Sequence, residues 1–157
     1  VFQNLLREKV SIKDRVTILE TLADYARTTK DPELLTDYVR IALSRSICKE
    51  FVDDNNFINV VTVTREIEDL VSKSLQKSPH GTYPAIEPDK TNLLFSKIQE
   101  IQDRKEFYGS KSVILVSPKI RTPFKKLVEM VFPQITVLSL NEIPADVKII
   151  SEEVISF

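Results

Sequence analysis

The chain has 157 residues, of which 42% are hydrophobic and 29% are charged, so it can bury a core and does not have the composition of a disordered polymer. Its 22 basic and 23 acidic residues give a net charge of −1, which predicts no general attraction to phosphates or to an anionic membrane surface. We therefore expect no nucleic-acid partner. Cys48 is the only cysteine, which excludes an intrachain disulfide and fits a reducing compartment.

The first residues have the pattern of a helix whose N-terminal start is not visible in the sequence. The stretch from Val1 to Glu8 is amphipathic but carries no helix-start signal, and the chain does not begin with Met, so we expect a piece of a longer protein. No apolar run reaches the roughly 18 to 20 residues that cross a bilayer, and no signal segment is visible. We expect this piece to be soluble and any membrane span of its parent to lie upstream of it.

A second helix is predicted from about residue 12 to residue 26. Ser11, with Asp14 three residues later, resembles a capping box, which would begin the helix. The apolar positions cover nearly half of the helix circumference, which predicts packing on two sides. These positions are Ile12, Val16, Ile18, Leu19, Leu22, Ala23, Tyr25 and Ala26.

A third helix is predicted from Pro32 to about Phe51. Asp31 is placed to cap it, and Pro32 is suited to the first helical position. Its many apolar residues are typical of a helix at the centre of a small bundle. We therefore expect residues 1–52 to form an all-helical subdomain.

After this subdomain the pattern changes to strands that alternate with helices. The β-branched run 57–64 predicts a strand, and the apolar stripe over 65–76 predicts a helix capped by Thr64. We expect the proline-rich stretch 78–88 to be irregular. A long helix over 88–107 is predicted next, ending at Gly109 in the left-handed conformation.

The remaining elements predict a parallel βαβ unit. Apolar runs at 112–117 and 136–140 have the length of strands, and a helix lies between them. Residues within 147–157 predict a last strand at the sheet edge. The predicted fold class is mixed α and β: an all-helical subdomain at 1–52, truncated at its N-terminus, followed by a small α/β subdomain at 53–157.

Few residues are suited to catalysis or to binding a cofactor. His80, the only histidine, is either an exposed loop residue or a general base that works with nearby carboxylates in a small hydrolase or transferase. Cys48 is either a buried, inert thiol or a nucleophile. With two glycines, Gly81 and Gly109, the chain cannot build a phosphate-binding loop or a dinucleotide fingerprint, and one Cys with one His leaves only carboxylates for a metal. We expect no enzyme activity, cofactor or metal.

The helix after Ser117 carries the main cluster of positive charge. Its helical phasing places Lys119, Arg121, Lys125 and Lys126 on the outer face, away from the apolar residues. This face is either an ordinary solvated surface or a docking surface for an acidic partner helix. A nucleic-acid module using the same helix is a further alternative, and it would require affinity that falls steeply with salt.

Arg15 interrupts the apolar arc of the second helix. Its guanidinium can extend to solvent along its methylene stem, without further function. The other interpretation is that Arg15 contacts a neighbouring subunit or an upstream part of the parent protein.

Five segments of the chain resemble the FlhA family of flagellar export-gate proteins, whose relatives serve virulence type III secretion. They follow the family's order along nearly the whole chain and are Asn4–Asp14, Thr17–Asp24, Asp31–Arg40, Leu115–Pro118 and Val137–Ile143. The resemblance implies a non-enzymatic role. One departure is Arg15, where the family usually has an apolar residue.

The resemblance also implies a setting for the chain. Family members carry an N-terminal transmembrane bundle and a cytosolic part of four subdomains, of which this chain would be most of the third and the fourth. The cytosolic parts form a nine-membered ring at the cytoplasmic face of the bacterial inner membrane. That ring receives export chaperones with their cargo and components of the ATPase complex. We favour a flagellar assignment, with a virulence export gate as the alternative.

Overall fold

The computed structural model of the chain describes residues 1–108 and 111–157. These residues form helices, strands and one short 3-10 turn at Leu140–Glu142. The helices are α1 (Phe2–Arg7), α2 (Arg15–Tyr25), α3 (Pro32–Ala42), α4 (Ser44–Cys48), α5 (Arg65–Lys73), α6 (Pro88–Tyr108) and α7 (Arg121–Glu129). The strands are β1 (Phe57–Val63), β2 (Leu75–Ser78), β3 (Gly81–Pro84), β4 (Val113–Val116), β5 (Thr136–Ser139) and β6 (Lys148–Ile155). The predicted mixed α and β fold class is confirmed.

The start of α2 differs from the predicted capping box. The helix begins at Arg15, and the Asp14 carboxylate accepts hydrogen bonds from the Thr17 backbone N–H at 3.1 Å and the Thr17 hydroxyl at 2.7 Å. Ser11 Oγ accepts only a 3.4 Å hydrogen bond from Lys13 N–H. The prediction was wrong because a carboxylate close to the first turn is a stronger acceptor than a hydroxyl four residues before it.

The predicted cap of α3 is confirmed, but the predicted length of the helix is not. Asp31 accepts from Glu33 N–H at 2.9 Å, with Pro32 at the first helical position. The predicted single helix to Phe51 is divided at Leu43 into α3 and α4. Thr64 precedes α5 as predicted, but its buried hydroxyl has no hydrogen-bond partner among the described residues.

The main sheet has four parallel strands in the order β5-β4-β1-β6. Strands β4 and β5 with α7 between them form the predicted parallel βαβ unit. Strand β6 lies at the edge, as expected, and its pairing with β1 shifts register between Val60 and Val61. The predicted cap at Gly109 lies outside the described residues.

An antiparallel hairpin of β2 and β3 occupies residues 75–84, so it takes the place of the predicted helix end at 75–76 and of the first part of the stretch predicted to be irregular. Pro79 lies in its turn and Pro84 ends β3, positions where a missing N–H removes little of the hydrogen-bond ladder. Gly81 has φ of 114°, a backbone conformation that L side chains rarely adopt. The prediction was wrong because it considered the number of prolines and not the positions that they occupy in the chain.

Apolar side chains pack on both faces of the sheet. The larger cluster joins one face to α5, α6 and α7, and includes Phe124, Leu94 and Ile98. A smaller cluster joins the other face to α4 through Cys48. Ile47 packs against this cluster and also against the cluster among α1, α2 and α3, so apolar contact continues from the helices to the sheet.

Below, residues 1–52 are called the helical segment and residues 53–157 the α/β segment. A subdomain boundary between them stays a prediction.

Candidate functional site

The structure contradicts the predicted outer position of the basic residues on α7. Arg121 is 2% exposed and Lys125 is 6% exposed, Lys126 is partly buried, and Lys119 alone of the four is exposed. The helix begins at Arg121, and its apolar side faces the sheet while Arg121 and Lys125, one turn apart, lie on a second buried side. A helix covered on two sides has no single outer face, so the phasing argument failed.

Arg121 reaches across to the helical segment and binds Glu8. The two guanidinium NH groups donate to the two carboxylate oxygens at 2.8 and 3.0 Å, a bidentate pair between residues 113 positions apart in the sequence. Arg40 of α3 lies beside this pair, with its guanidinium 3.3 Å from Glu8 and 2.7 Å from Glu142. The helical and α/β segments are therefore joined by two buried arginines that share acidic partners.

Two further acids complete this cluster, which we call the seam network: Glu8, Asp37, Arg40, Arg121 and Glu142. Asp37 lies 3.5 Å from Arg121 Nε and accepts a hydrogen bond from the Thr122 hydroxyl at 3.0 Å. Glu142 also accepts a hydrogen bond from Ser139 N–H at 3.2 Å. Its carboxylate therefore holds both Arg40 and the start of the 3-10 turn. Arg121 Nε has no hydrogen bond within the described part of the chain, although two carboxylates lie within ion-pair distance.

The fold shifts the pKa values of two acids beside Arg121, Glu8 and Asp37, in opposite directions. Burial would raise the pKa of Glu8, but the hydrogen bonds and charge of Arg121, with the charge of Arg40, outweigh it and hold the pKa below its usual value. Burial raises the pKa of Asp37, and Arg121 and Thr122 offset this only in part. Ionised Glu8 is thus favoured in the fold, whereas ionised Asp37 is disfavoured.

Lys126 anchors the β2–β3 hairpin. Its ammonium pairs with Glu33 of α3 and donates to the Thr82 carbonyl at 2.8 Å. Glu33 in turn accepts from Thr82 N–H at 3.1 Å. Lys126 therefore joins α3, α7 and the hairpin, and it is not a free surface cation.

Arg15 is the first residue of α2 and lies on an exposed side of the helix. Ile18 and Thr21 face the interior, whereas Val16 is 67% exposed and Leu19 is 56% exposed. The prediction that α2 packs on two sides is therefore not met within this chain. Its outer side, which we call the α2 outer face, presents an exposed apolar stripe of Val16, Leu19 and Ala23 flanked by Arg15 and Glu20.

The two candidate catalytic residues lie in different settings. His80 is exposed in the hairpin turn, and its described hydrogen bond is made by its backbone N–H to Ser78 Oγ at 3.2 Å. Cys48 is 1% exposed and donates to the Glu142 carbonyl at 3.1 Å. Burial and the charge of Glu142 raise the pKa of the Cys48 thiol to about 11, so a thiolate is disfavoured near neutral pH.

Sequence reasoning missed the acids and one arginine of the seam network. One signal was available for Arg40, because it occupies a position between Val39 and Leu43 on a helix whose surface is mostly apolar. Glu142 also had a signal, because it follows Ser139 at the spacing of a capping box, which the structure forms. Glu8 and Asp37 gave none, since a charged residue at either position is equally typical of a solvated helix face.

Two grooves of about equal size lie where the helical and α/β segments meet. One, of ≈ 700 Å³, is lined by both signs of charge and includes His80. The other, of ≈ 710 Å³, has charged residues that are mainly basic among its lining. Within the described ranges, no three His, Cys, Asp or Glu side chains are grouped as a metal would require, and no helix has the length and apolar character to cross a membrane.

The comparisons with known proteins agree on one family. Residues 1–148 match the FHIPEP family. The flagellar biosynthesis protein FlhA of Bacillus subtilis (strain 168) is 38% identical over 149 residues, which are 95% of this chain and 22% of that protein. The chain thus spans about a fifth of the length of this curated relative.

Solved structures give the same result. The cryo-EM structure of nonameric EPEC SctV-C has a TM-score of 0.88 and 31% identity, covering 98% of this chain and 46% of that one. The Chlamydia pneumoniae CdsV and CdsO complex matches with a TM-score of 0.87 and 32% identity, covering 99% of this chain and 46% of that one. The expected resemblance is therefore confirmed, and the chain belongs to the FHIPEP family, which includes the FlhA flagellar biosynthesis proteins.

Proposed function

We propose that this chain is a non-enzymatic docking and ring-assembly part of a flagellar type III export gate at the cytoplasmic face of the bacterial inner membrane. Membership of the FHIPEP family and the nonameric form of the similar SctV-C support this function. The flagellar assignment is supported by the 38% identity to FlhA of Bacillus subtilis (strain 168). The alternative is the export gate of a virulence secretion system.

The α2 outer face is the observation that carries the ring-assembly proposal. Val16, Leu19 and Ala23 recur at helical spacing and lie on the exposed side of a helix whose other side is packed on α3. Leaving large apolar side chains in water forgoes about 1.5 to 3 kcal/mol for each that a partner would bury. A neighbouring subunit of the ring is the occupant that we propose.

The charges beside the stripe suit a contact between unlike surfaces. Arg15 lies along one side of the stripe, and Glu20 and Arg27 lie toward the other. A cyclic ring is built from head-to-tail contacts, in which one surface of each copy meets a different surface of the next. We propose that Arg15 meets an acidic group of the neighbouring copy and orients this contact.

The seam network supports the same function by holding the surfaces of the chain in register. Buried ion pairs add little net stability over apolar packing, but they strongly disfavour arrangements that leave a charge unpaired. Arg121 and Arg40 have their partners only when the helical and α/β segments are docked as observed. We propose that the seam network makes the two segments one rigid body, so that Arg121 and Lys125 serve the fold and not a partner.

Chaperone–cargo complexes and ATPase-complex components are the proposed partners of the assembled ring. The complex of the similar CdsV with CdsO supports binding of a second protein by members of this structural group. Of the four basic residues predicted on the helix after Ser117, Lys119 lies in the turn before α7, is exposed and stays a candidate contact. A hydrolase or transferase built on His80 is the weaker alternative, because the described part of the structure places no carboxylate in hydrogen-bond contact with the His80 side chain.

The ring proposal can be tested on this chain by amide NMR spectra at rising concentration. We expect small, concentration-dependent shifts in α2 at millimolar concentration, because each contact of a ring is weak alone. Leu19→Glu should abolish these shifts. Leu140→Glu is the matched control, because Leu140 is 53% exposed and Leu19 is 56% exposed. Shifts that spare α2, or that both variants abolish alike, would refute the assignment of this face.

A further inference from the structure

The groove of ≈ 710 Å³ is a second feature of the boundary between the helical and α/β segments. The helical segment contributes the turn after α1, residues 7–11, and the end of α4 with the residues that follow it. The α/β segment contributes Ser112 and the stretch 133–136 before β5. The groove therefore exists only when the two segments are docked.

Its charge differs in sign from that of the whole chain. The described lining has two acidic residues, Glu8 and Glu50, and six basic ones, which leaves an excess of four positive charges in a chain of net charge −1. The basic residues are Arg7, Lys9, Arg40, Lys49, Lys111 and Lys125. The groove is thus a local positive site on an otherwise acidic molecule, and such a site attracts anions.

The basic residues have different roles in the groove. Arg40 and Lys125 are buried in its base, where Arg40 is paired in the seam network and Lys125 Nζ donates to the Ile135 carbonyl at 2.8 Å. In contrast, Arg7, Lys9 and Lys49 are exposed, and none of them forms an ion pair with a described side chain. These three side chains form a rim that can bind carboxylates.

The backbone at Lys9 helps to shape this rim. Its φ of 59° lies in the left-handed region, which a residue with a Cβ adopts at a cost. This conformation turns the chain after α1, where Val10 N–H donates to the Leu5 carbonyl at 2.9 Å and the Val10 side chain is buried. The chain thereby holds Lys9 outward at the groove.

The groove also has apolar and hydrogen-bonding surface. Ile47 and Phe51 are partly exposed there, and the Lys111 ammonium lies 5.6 Å from the centre of the Phe51 ring. Ser46 and Gln134 add neutral polar groups. An apolar wall with scattered hydroxyl and amide groups suits a peptide, because it can take one apolar side chain and the hydrogen bonds of a backbone.

We propose that this groove binds an acidic peptide segment of another protein, with carboxylates at the Arg7, Lys9 and Lys49 rim and one apolar side chain against Ile47 and Phe51. A nucleic acid fits less well, since single strands need a continuous basic track and several aromatic stacking surfaces, and Phe51 is the one aromatic side chain in the described lining. The inference does not depend on ring assembly.

The test is fluorescence anisotropy of this chain with a labelled ten-residue peptide of Asp and Glu with one central Leu. An analogue with Asn and Gln is the neutral probe. The double variant Lys9→Glu/Lys49→Glu should weaken binding of the acidic peptide about tenfold or more, since it removes two ion pairs at the rim and puts two repelling charges in their place. Amide NMR spectra of each variant confirm that it is folded.

The matched control is Lys13→Glu/Lys90→Glu, which changes the net charge equally at exposed positions outside the groove. It should leave the affinity within about twofold. Equal loss in both double variants, equal binding of the neutral peptide, or tighter binding of a labelled ten-nucleotide uridine RNA at the same salt concentration would each overturn the proposal.

Discussion

Arg121 has the environment of a core residue, although its position on a basic helix predicted exposure to solvent. Its guanidinium is held by Glu8 in a bidentate pair, with Asp37 and Glu142 within ion-pair distance. At a buried site the loss of one partner leaves an uncompensated charge, which costs far more than the pair adds relative to apolar packing. Stability and pH dependence of the chain should therefore reflect single residues of the seam network.

Replacing Glu8 by Gln should destabilise the chain by about 3 kcal/mol near pH 7, because Arg121 and Arg40 lose a shared charged partner. The pKa of Glu8 is lowered in the fold, so its contribution is complete above its ordinary pKa of 4.5 and is lost as the pH falls through the lower folded value. Urea unfolding at a series of pH values should show the wild type and the variant converging below about pH 4.5. A constant difference down to pH 3 would contradict this.

Cys48 should resist alkylation in the folded chain. It is 1% exposed, and its pKa of about 11 leaves very little thiolate at pH 8. Mass spectrometry after incubation with iodoacetamide should show almost no adduct in the native state and complete modification in urea. Because Cys48 is the only cysteine, the adduct reports on this site alone. Rapid modification of the native chain would mean that α4 opens from the sheet.

At the level of elements, the sequence predicted periodic segments well and predicted their ends less well. The long helix α6 and the strand β1 form where they were predicted, β1 from its β-branched run, and Leu94 and Ile98 of α6 are buried. The hairpin of β2 and β3 was missed, because its strands are short and its pairing is fixed partly by contacts of Thr82 with distant residues. Local patterns do not carry such long-range contacts.

The start of α2 gives a direct test of the corrected cap. Asp14→Ala should cost about 1 kcal/mol, because the first turn loses the acceptor for Thr17 N–H. Ser11→Ala is the control and should change the free energy of unfolding by less than about 0.5 kcal/mol. Thermal or urea unfolding of the two variants measures both values. A larger loss from Ser11→Ala than from Asp14→Ala would restore the predicted capping box.

At the level of the whole molecule, the family could be identified from short segments, but the site could not be placed. Leu115–Pro118 and Val137–Ile143 supported the family assignment that the three N-terminal segments carried, and they flank the α7 region whose buried side was misassigned. Whether a basic helix is solvated or buried depends on what packs over it, and here Glu8 and Asp37 do so from a different segment. The uncovered side of α2 likewise emerged only once the packing of Ile18 and Thr21 was known.

The most direct measurement of the central claim is photo-crosslinking in living cells that make the complete protein. A benzophenone amino acid at position 19 should give a ladder of products at multiples of the mass of one subunit, because we propose that Leu19 touches the next copy in the ring. The same probe at position 140 is the control and should not give this ladder. Crosslinks from position 19 only to other proteins, or to the upstream part of the same chain, would contradict the account.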